Sequence, residues 1–219
     1  MVSCNSETKT RKQIEQLQNS GKAEKYQLGI AYMHYISQPG YKINYSKDLV
    51  KKLLSLGFFA ESINAVETLL EKSPNDPELF YLYSVGYRNL LQYDLAVENL
   101  DHALSFQPGN KLYSEPYKSL KEERKIWSEI QTLNQSLINT TDTFPILLDR
   151  AEHLFSIRQY DAVLYDLGSL SKMGSASDST YFASSVSTLY QEGGRKSVEI
   201  LTDMMSYYRK VRDRKDNIK

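Results

Sequence analysis

The chain carries a single cysteine, which excludes any disulfide within it. Only ten glycines and six prolines occur, and they fall mostly at segment ends instead of in periodic turn clusters. That distribution argues against a β-sandwich or barrel, which needs a turn every few residues. No apolar run approaches the roughly 20 residues that span a bilayer as a helix. Neither sign of charge is in excess: 27 Lys and Arg face 27 Asp and Glu, so no global field favours nucleic acid or an anionic membrane. Catalytic signatures are missing too. There is no HExxH, no second cysteine for a metal pair, no GxxxxGK[ST] loop, no GxGxxG after a strand and no GxSxG elbow. His34, His102 and His153 lie far apart, and Glu122-Glu123, flanked by Lys121 and Arg124, reads as a solvated helix face. The expectation is a protein that is not an enzyme and uses no metal or cofactor.

What remains is 41% hydrophobic and 25% charged, enough apolar material for a core and too balanced for disorder. An all-α fold is expected. Charge is uneven along the chain: residues 61–110 hold eight acidic and two basic side chains, whereas 195–219 hold eight basic and four acidic. "GSASDST" reads as a loop capped by Asp178. The 17 tyrosines are mostly accounted for by core packing with the hydroxyl at the rim.

Internal repetition is visible. "GFFAESINAVETLLEKSPNDP" and "LQYDLAVENLDHALSFQPGN" align on Pro74 and Pro108, which puts Phe59 on Tyr93, Ser62 on Ala96, Val66 on Leu100 and Leu70 on Leu104. Ahead of the later copy, "DPELFYLYSVGYRNLLQ" sets Phe80, Tyr83, Ser84 and Tyr87 on one helix face, with Asp76 as N-cap and Pro77 in the first turn. The unit is helix, short turn, helix, proline. Small Ala96 and Ala103 on a buried face imply that another backbone comes close.

A 34-residue unit of this pattern resembles the tetratricopeptide repeat (TPR). Residues 77–110 carry it most fully, through Phe80, Tyr83, Ser84, Tyr87, Tyr93, Ala96, Leu100, Ala103 and Pro108. Residues 43–76 keep Leu49, Gly57, Phe59, Ser62 and Pro74 but have Val50 and Leu69 at small positions. Residues 144–215 resemble the family as divergent helix pairs: Ala151, Leu154, Tyr160, Leu167 and Leu170 fit, Val163 replaces Ala, and Gly193-Gly194 turns the last pair. The expected fold is an all-α TPR-like helix-turn-helix solenoid, a right-handed superhelix with one long interrupting helix. Its expected parts are a flexible tether 1–7, an N-terminal block 8–110, a long connecting helix 111–140 carrying a stripe from Tyr117 through Trp127 to Leu137, and the C-terminal pairs 144–215.

The resemblance implies a concave groove lined by the first helix of each pair, binding a protein or peptide partner. The outward residues there are expected to be Glu78, Tyr81, Leu82, Val85, Arg88 and Asn89, with Asn44, Lys47, Lys51, Leu54 and Ser55 on the preceding pair. Partner contact is assigned to Lys47, Lys51, Glu78, Tyr81, Val85, Arg88 and Asn89, with Tyr81 and Arg88 as anchors because aromatics and arginine concentrate at such sites. A clamp for a partner's terminal carboxylate is not expected, since Tyr81 and Val85 stand where it needs asparagine. "MVSCNSETKTRK" also resembles the end of a bacterial lipoprotein signal, which would make Cys4 a lipidation site and the cell envelope the favoured location over the cytoplasm. The positive and apolar stretches such a signal requires are missing from this chain, so that reading expects them upstream of Met1. The alternative is an ordinary start and a surface cysteine. Two other roles fit the sequence: a structural subunit docking through its convex face or basic C-terminal helix, and a glycan-binding accessory of an envelope enzyme system. The partner's identity and the oligomeric state are not encoded in these patterns.

Overall fold

The computed structural model describes the backbone of residues 2–20 and 24–216 and the side chains of 7–20, 24–193 and 196–214. Within them are eleven helices and no strand: α1 (Val2–Asn19), α2 (Lys25–Ile36), α3 (Ile43–Ser55), α4 (Phe59–Leu70), α5 (Pro77–Asn89), α6 (Tyr93–Phe106), α7 (Lys111–Ile138), α8 (Phe144–Ser156), α9 (Tyr160–Met173), α10 (Ala176–Glu192) and α11 (Gly194–Asp216). Consecutive helices pack on one another as a helical repeat. The chain divides into two compact units, 1–124 and 125–219, and the division falls inside α7.

In the first unit the helix starts follow the local chemistry. The Asp76 side chain accepts from the Glu78 amide, Pro77 occupies the first turn where no donor is needed, and α5 follows. One repeat later Asn110 does the same for Leu112 at the start of α7. The hairpin turns repeat as well. Gly57 (φ 78°), Leu91 (φ 61°) and Arg158 (φ 63°) are all left-handed, and each is followed by an amide that reaches back to close the helix: Phe58 to Leu53, Gln92 to Tyr87 and Gln159 to Leu154, all at 2.9 Å. This is the glycine-type helix stop, built twice without glycine.

Packing arranges the first unit in two layers. Lys47 near the start of α3 reaches Asp76 and Glu78 at the start of α5, so these first helices run the same way. Lys25 lies over Phe58 at one end of α2 and α4, while Lys72 reaches the Pro39 carbonyl at the other, so the second helices are also parallel. Ser62, Ala65, Ala96 and Ala103 are buried, and a Cβ on Gly86 would come within 3.0 Å of Ile63, so small residues do mark close helix approach. Tyr35, Leu49, Leu53, Leu69 and Leu79 fill the space between layers.

The expectations for the N-terminal segment and for α7 are corrected. The supposed tether 1–7 is helical from Val2, because Glu7, Thr10 and Ile14 form a buried face of α1; Glu7 accepts from the Tyr35 hydroxyl at 2.9 Å. The Cys4 side chain lies outside the described residues. The second correction concerns α7. Its first half runs alongside α5, with Tyr113 against Tyr81 and Glu123 on Arg88, and antiparallel to α6, with Arg124 toward Asp94. Residues 111–124 therefore hold the place of the next first helix. The left-handed turn due 34 residues after Leu91 falls at Lys125, where "EERKIWSE" has no breaker, and the helix continues. The expected interruption is a repeat that lost its turn.

The second unit closes on itself. Ala151, Leu154, Val163, Leu167 and Leu170 are buried between α8 and α9, and Ile130 of α7 joins the same core. Leu201, Met204, Tyr208 and Val211 of α11 fill the rest, and α11 packs on α8 and α9 as well as α10. A simple stack of pairs would not bring the last helix back to α8. "GSASDST" is not a loop: Ser175 is the N-cap of α10 and Asp178 is the third residue of its capping box.

Candidate functional site

The first-helix face of α3 and α5 carries the residues singled out in the sequence, and it is an ion-pair lattice. Lys47 binds Asp76 at 2.5 Å and Glu78 at 3.0 Å; Lys51 binds the other Glu78 oxygen at 2.7 Å and Asp48 at 3.4 Å. Burial alone would lower the Lys47 pKa, but its hydrogen bonds to Asp76 and Glu78 outweigh that and hold it above the usual lysine value. Glu78 is displaced the other way: burial would raise it, and Lys51 and Lys47 together hold it below the ordinary carboxylate value. Hydrogen bonding to Glu78 likewise raises Lys51. The lattice joins α3 to α5. It neutralises the cations that a partner carboxylate would use.

Arg88 meets Glu123 with two parallel bonds, at 2.7 and 2.5 Å, and this pairing raises its pKa. Such fork-to-fork pairs are among the stronger protein hydrogen bonds. Tyr81 lies 5.3 Å from the Tyr113 ring, Val85 is half-buried, and Asn89 is exposed with its amide on the Val85 carbonyl of its own helix. Leu82, expected outward, belongs to the buried cluster with Val50 and Leu53, because α3 and α7 flank α5 on both sides. Lys47, also expected outward, is buried where α3 meets the start of α5, held there by Asp76 and Glu78. The structure thus gathers Lys47, Lys51 and Glu78 in one cluster and Arg88 with Glu123 in another.

The second-helix face is different. Between α2 and α4 lies a groove of about 500 Å³ lined by Tyr26, Gly29, Ile30, Met33, Phe58 and Glu61, with His34 and Ser37 at its edge. A second hollow of about 380 Å³ lies on the α1 side, and Ile30 and His34 border both. Tyr26 is 67% exposed and Ile30 72% exposed. Gly29 makes the groove possible, since a Cβ there would come within 2.8 Å of the Phe58 ring that forms its floor. Sequence reading missed this surface, because "KYQLGIAYMHYI" is apolar nearly all round and does not reveal which face is covered.

In the second unit, Arg150 holds the buried Asp166 through two bonds, at 2.9 and 2.5 Å, and Asn134 through a third. Asp178 accepts from the Ser175 amide and from the Tyr207 hydroxyl, at 2.5 and 2.6 Å. Burial would raise Asp178, yet these bonds hold it below the usual aspartate value. Both clusters join helices: Arg150 ties α8 to α9 and α7, and Asp178 ties α10 to α11. Arg209 and Arg212 of the basic C-terminal helix pair with Glu152 and Asp149 of α8. Among the described residues no group of three or more His, Cys, Asp or Glu is placed to hold a metal, and no helix is long and apolar enough to cross a membrane. No protein-family model, curated protein or solved structure matches this chain.

Proposed function

We propose that the protein is a non-catalytic, TPR-like helical-repeat protein that binds a protein or peptide partner. The observation that carries this reading is the open apolar groove between α2 and α4, with Tyr26 and Ile30 left exposed beside a well-filled core. Large side chains left in solvent at a concave surface mark interaction sites. The family resemblance would put contact on the first helices, but there Lys47, Lys51, Glu78 and Arg88 are held in internal ion pairs. A partner would have to break those pairs before making its own. Contact is therefore assigned to the second-helix face.

The test is affinity capture from an extract of the source cells, followed by mass spectrometry, with wild type, Ile30→Glu and Tyr81→Ala/Arg88→Ala as baits. The same partner should be recovered by wild type and the double variant and lost from Ile30→Glu. Loss from the double variant alone would return the contact to the first-helix face. Lipid anchoring through Cys4 at the cell envelope is part of the same proposal. It expects an apolar signal stretch upstream of Met1 in the genomic DNA and labelled palmitate incorporated at Cys4.

A further inference from the structure

The charge around the groove says what kind of partner it takes. Of the eight acidic residues between 61 and 110, Asp76 and Glu78 are consumed by the lysines of α3. The other six, Glu61, Glu67, Glu71, Asp94, Glu98 and Asp101, are on or at the end of the second helices α4 and α6, and all are exposed. Among the described residues Glu61, Glu71 and Glu98 form no ion pair. Against them on this face stand Lys25 and Lys72, which lie over the Phe58 and Tyr41 rings. The two faces of the first unit thus differ: one holds Lys47, Lys51, Glu78 and Arg88 in internal ion pairs, the other sets the exposed carboxylate of Glu61 beside an apolar groove.

The groove runs along two parallel helices, and Glu61 is part of its wall. An amphipathic helix laid in it would cover Tyr26, Ile30 and Phe58 with an apolar stripe. Residues flanking that stripe would meet Glu61, the carboxylate in the groove wall. Acidic flanking residues would be repelled and basic ones attracted.

We propose that the α2–α4 groove docks a basic amphipathic helix of a partner protein, its apolar stripe over Tyr26, Ile30 and Phe58 and its Lys or Arg side chains toward Glu61. This rests on the partner-binding reading above and names the chemistry of the partner.

A fluorescein-labelled helical peptide made only of leucine and lysine at heptad spacing supplies the probe, with the same peptide carrying glutamate for lysine as its counterpart. Anisotropy titrations use the full chain, Ile30→Glu, Glu61→Lys and Tyr81→Ala/Arg88→Ala, each checked for retained helicity. The lysine peptide should bind more weakly as salt rises. It should lose at least about tenfold in affinity to Ile30→Glu and to Glu61→Lys, as expected for a groove anchor and a facing charge. The double variant should bind as wild type does, and the glutamate peptide should not bind. Equal binding of both peptides, or indifference to both groove substitutions, overturns the proposal. Loss of binding confined to the double variant overturns the groove while leaving a partner-binding protein; no binding of either peptide overturns both. Sedimentation supplies the last outcome: a wild-type dimer that Ile30→Glu dissociates would show that a second copy fills the groove.

Discussion

Leu91 and Arg158 hold a backbone conformation that Gly57 adopts without strain at the equivalent turn. A left-handed L-residue costs about 1–2 kcal/mol, and glycine gives back about 0.5–1 kcal/mol through its freer unfolded chain. Arg158→Gly should therefore raise stability by about 0.5–1 kcal/mol, and Gly57→Ala should lower it by about 1 kcal/mol, both read from urea midpoints. Ala96 is fully buried, so Ala96→Leu should overpack its surroundings and cost about 1–3 kcal/mol by the same measurement. Titration offers a third check. Burial pushes the Tyr35 and Tyr93 phenols up to about 12 from 10.0, and moves Tyr83 and Tyr208 in the same direction. A raised phenol stays neutral in the folded chain while the unfolded one ionises, so its contribution is whole below pH 10 and lost as pH rises through 12. Glu78 and Asp178 are lowered, so theirs is whole above the ordinary carboxylate value and lost as pH falls through the folded one. Urea midpoints against pH should fall at both extremes. Small buried residues were legible at this scale because their period and size point one way. Leu82 and Lys47 were not, since their cover comes from neighbouring helices.

Among helices, several boundaries follow from caps and prolines written in the sequence, as at Asp76-Pro77 and at Pro108 after α6. The connecting helix expected over 111–140 is Lys111–Ile138. Its meaning was hidden: a repeat lacking its turn looks like an insertion, and only the neighbours of Tyr113 and Glu123 show that 111–124 keeps the repeat's place. The return of α11 to α8 was also illegible, because an apolar stripe announces that a helix is covered without naming what covers it. Leu201 is buried in the second unit's core, and Leu201→Ala should cost about 2–5 kcal/mol. Hydrogen exchange should place the loss in α8–α11 and leave α2–α6 as protected as before, since Leu201 is not part of the first unit's core.

For the whole molecule, the all-α helical-repeat class could be read from the 34-residue period, but the open face proposed for a partner could not. Sequence reasoning ranked residues by their type and their place in the pattern, which favoured Arg88 and Tyr81. The structure shows Arg88 bound to Glu123 and Lys47 bound to Asp76, while Ile30, an unremarkable residue in an apolar run, stands in solvent. Exposure depends on which helices are neighbours, and a single helix does not record that. The central claim is that the second-helix face of the first unit is the partner surface. Hydrogen–deuterium exchange of the full chain with and without the leucine–lysine peptide tests it most directly. The account predicts added protection in 25–37 and 58–64 with little change in 77–89. Protection concentrated in 77–89, with α2 unchanged, would contradict it.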